Sequence, residues 1–317
     1  MADNVDAIAT MPEPPPSDTS STSSYHTTDV VAGKPTVMTS NTRLPRVRAF
    51  EGAKFRIHDG TRWKVLQPLT KVDLQQEYVP CEGSQVFSCI SLDKAIRSKY
   101  GTVAVKIRFQ VCADPDTIAH HQHQVQRCAD MLAKFPTQPN RHWLSISEKK
   151  LALCTRPAAK VNDCTLRECI ALDRLTSRDC EYTPWMEGYV RMKLSSKCHP
   201  AAIGGGYCVF IVTDKLNATT MSHDDFCQMS LKERDRIREA IKTALLSVWA
   251  CYVQPSNYSM KNFLWDEKKE HFYIVGFENC LLPSLTSEPQ AWSDSHFAAL
   301  NLTEDQVLAC CPQPSCP

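Results

Sequence analysis

A chain of 317 residues that is 43% apolar and 22% charged can bury one core of about 250 residues, or two smaller lobes. Its formal net charge of +1 gives no electrostatic ground for a nucleic-acid partner, and no run of about 18 apolar residues exists to span a membrane. Residues 1–24 carry acids, prolines and serines where a secretory signal has a basic start and an apolar stretch. The expectation is an intracellular protein, in cytoplasm or nucleus, with its 16 cysteines mostly reduced. Cys89, Cys112, Cys169, Cys208 and Cys251 stand singly among apolar neighbours, and no C-x-x-C pair occurs, so they read as small buried hydrophobes and no metal site is expected.

Residues 1–45 are rich in Ser, Thr and Pro and predict a disordered tail. The basic residues Arg43, Arg46, Arg48, Lys54 and Arg56 read as solvated surface. From Phe50 the composition turns globular. Residues 53–66 and 85–90 predict short strands, and residues 92–99 a short helix capped by Ser91. Residues 101–111 make the strongest strand of this half. Val103, Val105, Ile107 and Phe109 fill one face, and Ala104, Lys106 and Arg108 the other.

Residues 114–162 are polar and mixed, and His120, His121 and His123 within them read as a solvated helix face. A helix over 165–175 is predicted with Leu166, Ile170, Leu172 and Leu175 inward. Residues 207–213 form a continuous apolar run and predict a buried strand. Ser230 and Glu233 then make a capping box that opens the best helix of the chain, with Leu231, Ile237, Ile241, Leu245 and Val248 at helical spacing. Strands over 263–265 and 271–277 flank a charged turn at 266–270. Residues 301–317 predict a Cys/Pro-rich tail.

The order of these elements says more than any single motif. A strand carries Lys106, a helix carries Glu168, and a buried strand ends in Thr213-Asp214-Lys215-Leu216. A long helix leads to a loop with Asn262, and a hairpin ends at Gly276-Phe277-Glu278. Over residues 80–280 the chain resembles the protein kinase superfamily, and more closely the degenerate kinase-like proteins of filamentous fungi. The resemblance rests on Val105-Lys106-Ile107-Arg108, Glu168 with Ala171-Leu172, Thr183-Pro184, Gly205-Gly206-Tyr207 with Ile211-Val212, the segment 233–238, and Asn262-Phe263-Leu264-Trp265-Asp266. It implies that Ala104 leaves room for an adenine and that Lys106 reaches the α/β-phosphates of ATP. Glu168 would hold Lys106, and Asn262 would offer an amide oxygen to magnesium.

The departures bear on activity. Asn257 falls where the resemblance places the catalytic aspartate, and an amide cannot take the substrate hydroxyl proton. Gly276 falls where the metal-binding aspartate belongs, so magnesium binding is not expected from Asn262 alone. Gly83 is all that stands for a glycine-rich loop, no A-P-E motif follows Phe277, and about 60 residues separate Lys106 from Glu168.

The fold expected is α+β, a protein-kinase-like two-lobe arrangement with a small lobe over 50–212 and a reduced helical lobe over 216–300. The function expected is that of a kinase-fold pseudoenzyme, an interaction or regulatory module whose partner is another protein and whose nucleotide binding is weak or nil. Two alternatives stay open. One is an unconventional ATP-dependent phosphotransferase using Glu278 or Asp266; the other is a protein-binding α+β domain unrelated to kinases.

Overall fold

The computed structural model describes residues 50–195, 198–256 and 258–310. The tail expected at 1–45, Asn257 and the chain end at 311–317 lie outside the described residues. The first half of the chain lays down β1 (Lys54–Arg56), β2 (Arg62–Pro68), β3 (Asp73–Gln75), β4 (Glu82–Ser91), α1 (Lys94–Tyr100) and β5 (Thr102–Gln110). Helices α2 (Pro115–Lys134), α3 (Gln138–Leu153) and α4 (Asp163–Thr176) follow, then β6 (Met186–Lys193) and β7 (Tyr207–Thr213). Beyond them come β8 (Thr219–Thr220), α5 (His223–Gln228), α6 (Leu231–Ala250), β9 (Gln254–Pro255), β10 (Phe263–Asp266), β11 (His271–Ile274) and β12 (Cys280–Leu281). Short helices α7 (Ser295–Ala299) and α8 (Glu304–Cys310) end the described part.

The main sheet runs β1-β2-β4-β5-β7-β6 with β3 paired to β4, and every pairing is antiparallel. Strand β5 lies at its middle. Its alternation is as expected: Val103, Val105, Ile107 and Phe109 are buried on one face with Trp63, Phe87 and Phe210. On the other face β7 contributes Tyr207, Val209 and Ile211 to a core that also takes Ala171, Leu172 and Leu175 of α4. The same core continues through Ile237, Ile241, Leu245, Val248 and Trp249 of α6 to Phe263, Phe272 and Ile274 of a small β11-β10-β8 sheet. The described residues are thus a mixed helix-and-sheet fold whose main sheet is covered on both faces.

Helix α6 begins as its sequence predicts. The Ser230 hydroxyl accepts from the Glu233 amide, and the Glu233 carboxylate accepts from the Ser230 amide at 2.8 Å. Leu231 at its start is exposed, since the core stripe begins only at Ile237.

Helix α4 departs further from its predicted face. Leu166 and Ile170 are exposed, and the sheet-facing side presents Thr165, Glu168, Cys169 and Leu172. The helix is rotated from the purely apolar solution because Thr165 and Glu168 have charged partners on the sheet. Helix α1 starts at Lys94 with Asp93 at its cap position, while Ser91 remains in β4 and accepts the Asp93 amide at 3.1 Å. Of the cysteines read as buried, Cys89, Cys169, Cys208 and Cys251 are so and Cys112 is exposed.

The segment read as polar and mixed is an antiparallel helix pair, α2 and α3. Each helix is capped by a side chain, Asp114 accepting from the Thr117 amide and Thr137 from the Asn140 amide, with a proline in each first turn.

Gly83 sits inside β4 opposite Phe109, not in a phosphate loop. A Cβ there would come within 2.5 Å of the Phe109 ring. The glycine is therefore a packing requirement of the core. Gly83→Ala should cost about 1–3 kcal/mol by overpacking, read as a drop in the urea midpoint with the slope unchanged.

Candidate functional site

Strand β5 places Lys106 and Arg108 two residues apart, hence on one face of the sheet. Helix α4 is set over that face by its start. The Asn162 side chain accepts the Cys164 amide at 2.8 Å and donates to the Pro80 carbonyl at 2.7 Å, pinning the helix N-terminus to the loop that leads into β4. One turn on, Thr165 and Glu168 project from the same side of the helix toward the sheet.

Glu168 divides its oxygens between the two cations. Lys106 Nζ lies 2.6 Å from Oε1, and Arg108 Nη1 lies 3.3 Å from Oε2. Arg108 also donates from Nε and Nη2 to Glu82 Oε2 at 3.1 and 2.9 Å, and from Nη2 to Gln75 Oε1. Glu82 in turn accepts from the Thr165 hydroxyl at 2.6 Å and the Tyr207 hydroxyl at 2.7 Å. Tyr207 then accepts the Asn162 amide at 3.0 Å. Four strands and one helix thereby share a single network. Arg108 and Glu82 are shut from solvent, with side chains 0% and 1% exposed.

Glu278, in the turn between β11 and β12, closes this network from the far side. Its carboxylate is 3.3 Å from Lys106 Nζ and 3.9 Å from Arg108 Nη1. Burial pushes the Glu278 carboxyl up, but Lys106 and Arg108 more than offset it and hold the pKa at about 2. Burial likewise disfavours charge on Lys106, and Glu168 and Glu278 reverse that, so its pKa is raised. Arg108 is raised for the same reason, with burial opposed by Glu168, Glu82 and Glu278. Tyr207 is raised by burial and by the charge of Glu82.

Gly276 lies two residues before Glu278 and has φ +76°, the left-handed region. A Cβ there would stand 2.8 Å from Asn262 Oδ1. Asn262 ends a single 3-10 turn, and its carbonyl accepts the Val275 amide at 2.9 Å. Lys106 and Glu168 are thus in contact, and Asn262 lies against Gly276. Glu278 links the two pairs.

Ala104 is half-buried on the Lys106 side of β5, opposite Thr213 at the end of β7. Asp266 is buried and accepts the Lys268 and Lys269 amides at 3.1 and 3.3 Å, so it shapes the β10–β11 turn. Among the described residues no group of three or more His, Cys, Asp or Glu side chains is arranged to hold a metal ion.

Sequence reasoning assigned no role to Arg108, Glu82, Thr165 or Tyr207. Arg108 was the readable one, because strand alternation forces it onto the face of Lys106. The others are joined to it only through strand pairing and helix placement.

No protein-family model matches the chain, and no curated protein matches it. Among solved structures it is similar to the structure of vaccinia related kinase 3, at 12% identity and a TM-score of 0.35. The match covers 80% of this chain, which spans 58% of the length of that one.

Two outcomes are expected from the network. Arg108→Ala leaves Glu82 and part of Glu168 uncompensated in a dry site and should cost about 3–5 kcal/mol in urea unfolding. Lys106→Ala should cost less, since Lys106 is 21% exposed and Arg108 still serves Glu168.

The pH dependence follows from Glu278. Its folded pKa lies below its unfolded one, so its stabilisation is full above about pH 4.5 and is lost as pH falls toward 2. Glu278→Gln should therefore flatten the acid limb of the stability curve in that window and leave its shape above pH 6 unchanged.

Proposed function

We propose that the chain is a kinase-fold pseudoenzyme that acts as an interaction or regulatory module, with weak or no nucleotide binding. The observation that carries this reading is the contact of Glu278 with Lys106. A lysine that anchors phosphates must offer its charge to them. Here the ammonium is held between two carboxylates, and a nucleotide would have to displace one of them.

Charge count supports the same reading. Lys106 and Arg108 face Glu82, Glu168 and Glu278, two cations against three carboxylates, a formal excess of one negative charge. A polyphosphate approaching that cluster meets repulsion that only bound cations would relieve. The usual carboxylate for such a cation is absent at Gly276, and the positive φ there disfavours restoring one. Asn262 supplies a single amide oxygen. Phosphoryl transfer depends on positioning and charge neutralisation, and neither is provided for.

The test is a thermal-shift titration with ATP, with and without magnesium. Wild-type protein should show no magnesium-dependent rise in Tm. Glu278→Ala leaves two cations facing two carboxylates, so it should gain a nucleotide-dependent rise of about 2–4 °C at ligand well above its Kd. That rise should vanish when Lys106→Ala is added. A magnesium-dependent rise in the wild type that disappears in Lys106→Ala would overturn the pseudoenzyme reading and favour a working phosphotransferase.

A further inference from the structure

Helices α2 and α3 enclose between them a groove of about 350 Å³ that is independent of the Lys106 site. The two helices pack on one another, and Ser147, bonded to Cys128 at 3.4 Å, is the one residue of the pair that is buried. A helix hairpin stripped of buried apolar side chains is short of core. Meanwhile Met131, Phe135 and Trp143 are 48%, 57% and 59% exposed along it. Met131 and Trp143 both line the groove and both stay exposed, so its walls offer apolar surface to a partner.

The charge of the groove says what covers it. Arg127 and Lys150 line it together with Met131, Trp143 and Ile146, and no carboxylate does. Neither cation has a carboxylate partner among the described residues. Asp130, one turn along α2, is turned aside and accepts from Gln126 at 2.8 Å. His121 feels the same positive field, its pKa lowered by burial, then by His120 and Lys150. A second copy of this chain docked face to face would set Arg127 and Lys150 against their own equivalents, a like-charge contact that disfavours a symmetric dimer.

We propose that the α2–α3 groove binds an acidic amphipathic helix of another protein, its apolar stripe on Met131, Trp143 and Ile146 and its flanking carboxylates on Arg127 and Lys150. A third helix laid along the pair completes a three-helix packing at the usual 8–10 Å interaxial distance. The 20 residues of α2 span about 30 Å, room for five turns of such a helix.

The test uses the full chain and two synthetic helical peptides of equal length. Both carry leucines at i, i+3, i+4 and i+7, one flanked by glutamates and the other by lysines. Titration should show the glutamate peptide binding at least about tenfold more tightly than the lysine peptide. The R127E/K150E double variant should reverse that preference, and Trp143→Ala should weaken the glutamate peptide. Each variant should melt at the wild-type temperature, because none of the three side chains is buried. The two-peptide comparison on wild-type protein needs no variant at all. Failure of the glutamate peptide to bind at about 1 mM, equal affinity for both peptides, or a self-association abolished by Trp143→Ala would overturn the proposal.

Discussion

The guanidinium of Arg108 is cut off from water, so its charge has to be met and its hydrogen bonds filled by the protein itself. That requirement fixes positions across the fold. Glu82 must come from β4 at one side, Glu168 from α4 above, and Gln75 from β3 at the edge. Glu82 needs Thr165 and Tyr207 in turn, which sets the rotation of α4 about its axis and its height over β7. Hydrophobic matching alone would not choose that rotation, as exposed Leu166 and Ile170 show. A buried ion network contributes little net stability against an apolar isostere, but leaving it half-made is expensive. Its effect here is on which arrangement forms.

Lys106 inherits its situation from this network. It stands two residues from Arg108 on the same face, and Glu168 serves both. Glu278 completes the set by bringing the turn after β11 down onto the sheet. The site thereby carries a formal excess of one negative charge and is internally satisfied. An anchor for an external anion needs the opposite condition, positive charge with an unfilled valence facing solvent. Lys106 has no such vacancy, because Glu168 and Glu278 fill it.

How much of this the sequence discloses varies with the range of the interaction. The faces of β5, the capping box of Ser230 and Glu233, and the buried run of β7 are local patterns and were legible. The Lys106–Glu168 contact was legible only through family resemblance, because 62 residues separate the partners. Of the α2–α3 pair only a solvated helix face at His120, His121 and His123 was read, although Asp114-Pro115 and Thr137 with Pro139 are sound start signals; its few apolar residues masked the helical period. The role of Gly83 was not legible for a physical reason as well, since a glycine kept for the Phe109 ring and one kept for a phosphate look alike in sequence. The charge on Glu278 was visible and its direction was not: a turn fixed by Gly276 at positive φ decides it.

Gly276 also sets the turn that closes the ion network. Its backbone lies in the region where a side chain is strained, and the volume a Cβ would take is bounded by Asn262. A side chain there would be strained at φ +76° and would press on Asn262, and that same turn carries Glu278 to Lys106. Moving that turn would withdraw Glu278 from Lys106 and Arg108 and leave the cluster short of one anion. The conformation present is the one that satisfies the network. Site charge and core architecture are coupled in this chain through that single turn, so a change that frees Lys106 must also loosen the contact that holds the turn after β11 against β5.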